Sequence, residues 1–427
     1  MPRNAILESV SRYCKEYLIF VPIFPEKLTQ SAFQEKSAQF SQKFSQSGGV
    51  EKGETPRDLP LLGFRMAIEC PIPFLAMPTR EEIVQSFNPN LVSLDNGNFL
   101  GLPFDYDTAS LILIGVPWEV TVSYHPGTAA GPQRVLEASR QLDIFDLDNP
   151  DGWKQGIFMA EISEVIWEKS NQFRAEAVRI IEYLEQGVAI AENPLLLEAL
   201  QRANQAGAEV NQWLFEQAQA AMSQGKQVAV IGGDHSVPLG LMRAIAHQHP
   251  EFGILHIDAH ADLREAYEGF EFSHASIMFN ALKLPQLKKL VQVGIRDLCH
   301  DEVDLIQQSQ GRVVAYYDSH LKQKQYAGMS WMELCQQIVA ELPQKVYISF
   351  DVDGLDPKLC PHTGTPVPGG LELEHTFALF REVIRSGRQI VGFDVNEVGD
   401  AEWDGNVAAR TVYKLCNLMA LSHSVSA

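Results

Sequence analysis

The chain has 427 residues, enough for one large core; about 100–200 residues per domain would allow two or three domains, and the texture of the sequence favours one domain with an extension. Its 34 Lys and Arg against 54 Asp and Glu give a formal charge of -20, which repels phosphate backbones, excludes nucleic acid as a partner and favours cationic ligands. Six cysteines, Cys14, Cys70, Cys299, Cys335, Cys360 and Cys416, lie far apart with no C-x-x-C pair, so neither a thiolate zinc site nor a disulfide framework is expected and a cytoplasmic location fits best.

In chain order, the first apolar run, Tyr17 to Pro22 continuing through Phe24, falls short of the roughly 20 residues of a membrane span. No A-x-A-like cleavage site follows it, so neither a membrane contact nor a signal peptide is expected. Residues 1–60 read as a partly flexible N-terminal extension. Gln, Ser and Lys are dense between Lys27 and Lys52, and Ser47-Gly48-Gly49 and Glu54-Thr55-Pro56 mark breaks. Phe33, Phe40 and Phe44 recur at helical intervals and predict a short amphipathic helix. Residues 61–105, with several prolines and no clear period, read as an irregular segment packed on the core.

From Ser110 onward the apolar runs are short, β-branched and bounded by Gly, Pro or Asp, as strands buried on both faces of a parallel sheet are. Seven strands are predicted: Leu111–Val116, Gln227–Ile231, Gly253–Ile257, Leu290–Ile295, Arg312–Tyr316, Lys345–Phe350 and Gln389–Phe393. Helical patterns intervene at Arg174–Leu184 and Leu195–Met222, and Ser330-Trp331-Met332-Glu333 is a capping box opening another helix. Alternating strands and helices imply an α/β fold, and open parallel sheets bind ligands beyond the carboxyl ends of their strands.

Three such strand ends carry acidic or histidine-bearing motifs. Asp258-Ala259-His260-Ala261-Asp262 follows Gly253-Ile254-Leu255 and offers ligands at alternate positions, which in a strand would project to one side. Alone, a D-x-H-x-D is more often a solvated loop. Two further segments support it: Gly232-Gly233-Asp234-His235-Ser236 after Val228-Ala229-Val230, and Ser349-Phe350-Asp351-Val352-Asp353 after Val346-Tyr347-Ile348. His235, Asp258, His260, Asp262, Asp351 and Asp353 exceed the needs of one divalent ion; two ions sharing carboxylates would use them all. Oxygen-rich ligation with some imidazole suits manganese, nickel or iron. In a two-metal site a bridging water becomes a nucleophile near neutral pH, so hydrolysis is the expected chemistry.

These motifs, in this order, resemble those of the ureohydrolase (arginase/agmatinase) superfamily over roughly residues 106–420. G-G-D-H-S stands at Gly232 to Ser236, D-A-H-x-D at Asp258 to Asp262, and S-F-D-x-D-x-x-D-P at Ser349 to Pro357. The resemblance implies a catalytic domain over 106–427 and a three-layer αβα sandwich with a mostly parallel sheet. It also implies a homo-oligomer, trimer or hexamer, and two divalent ions, manganese or nickel. By position it makes Asp258 and Asp351 bridging ligands, assigns His235 and Asp262 to one ion and His260 and Asp353 to the other, and places the proton-shuttling histidine at His274 and the guanidinium-holding carboxylate at Glu397. The Thr363-Gly364-Thr365-Pro366 match implies that Thr365 lines the pocket.

The implied activity is release of urea from a small cationic guanidino substrate. The segment after Asp262 lacks the polar clamp of arginine-specific members, and His125-Pro126-Gly127-Thr128-Ala129 replaces the agmatinase-type Arg-Pro-Gly-Ala-Arg. Trp118, in the loop Pro117 to Tyr124, and Trp403, in Glu402 to Asn406, resemble the guanidine-hydrolase-like branch. The expected substrate is therefore guanidine, giving urea and ammonia, with agmatine, giving urea and putrescine, as the alternative. Trp118 and Trp403 are expected to line the pocket by cation–π attraction, although such aromatics also simply pack loops. A non-catalytic metal-binding relative is the rival of a different class.

Overall fold

In the computed structural model, which describes residues 78–424, the β-branched runs form strands buried along nearly their whole length, apart from the edge strand Val313–Tyr317, which is half-buried. The helix expected around Phe33, Phe40 and Phe44, the rest of the extension, and residues 61–77 lie outside the described residues. In order, the elements are α1 (Arg80–Ser86), β1 (Leu111–Val116), α2 (Gly131–Ser139), β2 (Ile157–Met159), α3 (Glu164–Leu184), α4 (Pro194–Met222), β3 (Gln227–Gly232), α5 (Leu239–Gln248), β4 (Phe252–Ile257) and α6 (Ile277–Leu282). Then follow β5 (Leu287–Ile295), α7 (His300–Gln308), β6 (Val313–Tyr317), α8 (Asp318–Tyr326), α9 (Trp331–Ala340), β7 (Lys345–Asp351), α10 (Leu373–Arg385), β8 (Gln389–Asn396) and α11 (Glu402–Ser424).

The strands make one sheet in the order β2-β1-β3-β8-β7-β4-β5-β6, and every pairing is parallel. Parallel strands need long crossovers, and the helices that supply them cover both faces. α3, α4, α5 and α6 pack on one another in succession, and α2, α11, α10 and α9 form a second series. This is the expected three-layer sandwich. The capping box at Ser330 and Glu333 forms as predicted.

Two differences from the sequence reading have local causes. The sheet has eight strands rather than seven, because β2 is only three residues long and its fit is enforced from outside. The buried Asn98 amide donates to Ile157 O at 3.1 Å and its carbonyl accepts Met159 N–H at 2.8 Å, satisfying the open edge. Helix α3 begins ten residues before the predicted Arg174, where Ser163 caps it by accepting Ile166 N–H at 3.3 Å. Its first turn places Val165, Ile166 and Trp167 side by side, with Val165 and Trp167 exposed and only Ile166 buried, so no single apolar face marks its start. Among the described residues no helix is long and apolar enough to cross a membrane, and Cys299, Cys335, Cys360 and Cys416 are free thiols.

Candidate metal centre and active site

Four adjacent central strands, β3, β8, β7 and β4, end at one place, and the chain leaves each of them through an acidic or histidine side chain. β3 delivers His235, β4 delivers Asp258, β7 ends on Asp351 with Asp353 two residues on, and β8 is followed by Glu397. Glycine is required where these ends crowd. A Cβ on Gly233 would lie 2.0 Å from Trp118 O, and one on Gly354 would lie 2.7 Å from Asp258 N.

The segment from Asp258 to Asp262 does not continue as a strand, contrary to the alternation expected from its spacing. β4 ends at Ile257, and Asp262 has a φ of 55°, a left-handed conformation that aspartate tolerates better than most residues. That reversal brings Asp262 back towards His235, while Ala259 and Ala261 are fully buried behind.

His235 Nδ1 lies 3.0 Å from Asp258 Oδ2, 3.2 Å from Asp351 Oδ2 and 3.3 Å from Asp262 Oδ2. His260 Nδ1 lies 3.0 Å from Asp353 Oδ2 and 3.5 Å from Asp258 Oδ1. Donor atoms of His235, His256, Asp258 and Asp262 fall within 4.8 Å of one another, as do those of Asp258, His260 and Asp353. The two groups share Asp258. Electrostatics make the same point. Burial and the charge of Asp258 push Asp262 up to about 7, and burial and Asp353 raise Asp351 well above the carboxylate range. Burial would lower His235 and His260, but the carboxylates around them raise both. Four buried carboxylates, none ion-paired to a lysine or arginine among the described residues, are a donor set that fits divalent cations, which would relieve their mutual repulsion.

Around this cluster lie residues to which the sequence reading attached no role. His256 is buried inside β4, with Nε2 2.8 Å from Asp258 Oδ2 and Nδ1 3.0 Å from Gln292 Nε2. Its signal was a polar residue in an otherwise apolar strand, two before Asp258 and so on the same face. His235 Nε2 lies 2.9 Å from Ser349 Oγ, which donates to Asp394 Oδ1 at 3.0 Å. Such outer hydrogen bonds orient a ligating imidazole.

Above the cluster a cavity of about 270 Å³ opens, with His260, Asp262, His274, Thr365, Tyr124 and Asp297 in its wall. Burial and the nearby His260 and His235 lower the pKa of His274 to about 3, so its imidazole is neutral at ordinary pH. Thr365 Oγ1 donates to Asp353 Oδ2 at 3.4 Å. Glu397 is buried beside His235, whose backbone N–H donates to Oε1 at 2.9 Å. Its φ is 62°, and a Cβ on Gly364 would come within 3.0 Å of Oε2, so the glycine keeps that oxygen's surroundings open.

Trp118 and Trp403 are not brought to this wall. Trp118 is 2% exposed within the hydrophobic core, because its backbone carbonyl is drawn under Asp234 N–H at 2.8 Å. Trp403 sits half-exposed in the first turn of α11, its Nε1 donating to Lys358 O at 3.3 Å. The aromatic residues that do line the cavity are Tyr124 and Tyr267, and Arg264 stacks on Tyr267 at 4.8 Å.

The Arginase family model matches residues 109–420, which take in every one of these strand ends. The chain belongs to the arginase family. It is 31% identical over 319 residues to an N(1)-aminopropylagmatine ureohydrolase of Thermus thermophilus, covering 74% of this chain and 92% of that one. It is 25% identical to an agmatinase of Bacillus subtilis, over 74% and 93% of the two chains. The crystal structure of an agmatine ureohydrolase of Thermoplasma volcanium shares the fold, with a TM-score of 0.58 at 21% identity over 81% of this chain and all of the other. As an arginase-family member with buried His and Asp clusters suited to a binuclear centre, the chain is a metal-dependent ureohydrolase of a guanidino compound.

Proposed function

We propose that this ureohydrolase acts on a small guanidinium, guanidine itself first, releasing urea and ammonia. The observation that carries the hydrolytic reading is the pair of donor groups sharing Asp258 beneath an open cavity. Asp258 and Asp351 would bridge two ions, manganese or nickel, with His235 and Asp262 completing one and His260 and Asp353 the other. Divalent ions held there lower the pKa of water and so supply a nucleophile at neutral pH. Glu397 offers Oε2 to a planar cation while Oε1 is tied to the His235 backbone. His274, neutral at rest, can take up a proton at Nε2 as the nucleophile attacks and pass that proton to the leaving nitrogen.

The choice of guanidine rests on Arg264. Its guanidinium lies in the cavity wall, 4.8 Å from the Tyr267 ring centre and 4.0 Å from Glu302 Oε2. Both Glu302 oxygens accept backbone N–H groups, from Leu263 at 2.9 Å and Cys299 at 2.8 Å, so that carboxylate is already committed. A second positive charge on a substrate tail would meet Arg264, whereas guanidine has no tail.

Agmatine and longer relatives of it are the second reading. Asp297, also in the wall, makes no side-chain hydrogen bond or ion pair among the described residues and could receive a distal ammonium. The names of the relatives, N(1)-aminopropylagmatine ureohydrolase and agmatinase, point the same way. Urea release measured on guanidine, agmatine, N(1)-aminopropylagmatine and arginine, with manganese and with nickel, tests the choice. Arginine as the best substrate would overturn both readings, and agmatine ahead of guanidine would replace the first with the second. A trimeric or hexameric assembly is proposed with them, to be checked by sedimentation.

A further inference from the structure

His274 is held by a residue from the other side of the site. It opens a short 3-10 turn, His274–Ser276, ahead of α6. The Thr121 hydroxyl, 3% exposed, accepts the His274 backbone N–H at 3.2 Å and lies 3.3 Å from Nδ1 of the same residue. Ser273 Oγ flanks that nitrogen at 3.4 Å. Nε2 is left as the ring nitrogen without a partner among the described residues, in the residue that forms part of the cavity wall.

Thr121 is itself fixed. Arg174 on α3 donates to Val120 O at 3.2 Å and to Val122 O, the carbonyls on either side of Thr121. One turn earlier on the same helix, Ser170 Oγ accepts Glu119 N–H at 3.0 Å. The Glu119 carboxylate then accepts Gly127 N–H at 2.7 Å and Ala129 N–H at 2.9 Å, closing the loop behind. Loops that carry function are usually the mobile parts of a fold. This one is tied to a long helix at two points a turn apart.

We propose that Thr121, bracketed by Arg174, is a positioning residue that fixes the His274 ring with Nε2 turned to substrate. A hydroxyl suits this task because it has one proton and two lone pairs. With one lone pair on the His274 backbone N–H and the other on Nδ1–H, it holds the neutral ring with Nε2 free to accept, and keeps the same two bonds when Nε2 takes up a proton and passes it on. Whichever way the proton moves, the ring keeps its partner. Geometry of this kind sustains general acid–base transfer, where small misplacements are expensive.

The inference rests on the proton-transfer reading of His274, and the test separates the two. Urea release is measured on the full-length, metal-loaded protein with whichever of guanidine, agmatine and N(1)-aminopropylagmatine is turned over fastest. Thr121→Val is expected to lower kcat about tenfold and displace the pH–rate profile, with KM and bound metal within about twofold. Thr121→Ser is expected to recover most of the loss. Arg174→Met is expected to lower kcat severalfold alone and to add nothing in the Thr121→Val background, the mark of two residues acting through one path. Unchanged kcat in Thr121→Val, equal damage in Thr121→Ser, or loss of metal from Thr121→Val overturns the positioning role. His274→Asn supplies the separation: if it retains turnover, the reading of His274 fails and this inference with it; if it is inactive while Thr121→Val is unimpaired, only this inference fails.

Discussion

The floor and the wall of the cavity are built differently. The floor is made of side chains leaving four adjacent, buried parallel strands, and Asp258, Asp262, Asp351 and Asp353 are each under 5% exposed. The wall is made of loops between strands and helices, where Tyr124 is two-thirds exposed and Asp297 is exposed. Strand ends in a sheet cannot move singly without breaking ladder hydrogen bonds, so the floor is fixed by the fold. Loops can change length and residue without disturbing the sheet. The contrast teaches that the reaction is encoded in the floor and the choice of substrate in the wall.

The largest effect should come from the atom group common to both donor sets. Asp258→Ala removes the shared carboxylate, and we expect both ions to be lost and turnover to fall at least about a thousandfold. Elemental analysis and urea release check it together. A variant with full metal content and full turnover would break the claim that the floor carries the reaction.

That contrast also decides what could be read from the sequence. The floor was legible because its ligands lie in three short motifs directly after apolar runs, and strand and ligand are contiguous in the chain. Even there the mechanism of convergence was not visible, since Asp262 reaches His235 through a left-handed turn rather than by strand alternation. His256 went without a role because its one signal, a polar residue two before Asp258 in an apolar strand, is also what an accidental polar residue in a strand would show. The wall was hardly legible. Trp118 and Trp403 looked suited to a cation, but one is drawn into the core and the other is held on α11 by a hydrogen bond to Lys358. Arg264, Tyr267 and Asp297 come together from two loops, and Thr121 meets His274 across 153 positions of sequence. Pairings that distant leave no local signal.

His256 allows a sharper test of the floor. It touches Asp258 but stands behind it, so His256→Ala should keep the chemistry while weakening metal binding about 10–100-fold, the usual cost of losing a partner that orients a ligand. Competition with a chelator measures it. A variant with unaltered affinity would mean that the backbone alone orients Asp258.

The floor should also answer to pH. In the metal-free protein Asp262 is raised to about 7 and Asp351 is raised as well, so both hold protons more tightly than ordinary carboxylates. A ligating carboxylate must be ionised, and binding below about pH 7 therefore displaces a proton from Asp262. Apparent metal affinity should fall as pH drops through 7 towards 5, by about tenfold per unit for each proton released. Titration calorimetry in buffers of different ionisation enthalpy counts those protons. An affinity independent of pH over that range would show that the carboxylates are already ionised without the ions.

The wall predicts a smaller and selective effect. Arg264 is part of neither donor group, so Arg264→Ala should leave metal content and the rate on guanidine within about twofold. Removing one partly exposed charge a few ångströms from a substrate cation is worth on the order of 1 kcal/mol, so kcat/KM for agmatine should rise about fivefold relative to guanidine. Equal changes for both substrates would place Arg264 outside the choice between them.

The smallest effect is expected from the N-terminal extension. All six proposed metal ligands, together with His274 and Glu397, lie between residues 235 and 397, and the family match begins at residue 109. The described fold closes its sheet, both helical layers and the cavity within residues 78–424. A protein lacking residues 1–60 should therefore bind its ions and release urea with kcat/KM within about twofold of the full chain, since no proposed floor or wall residue is removed. Sedimentation of the same preparation reports separately on assembly. If the shortened protein is folded and metal-loaded yet inactive, the division into floor and wall is incomplete, because a third region, distant in sequence from both, is then needed to finish the site.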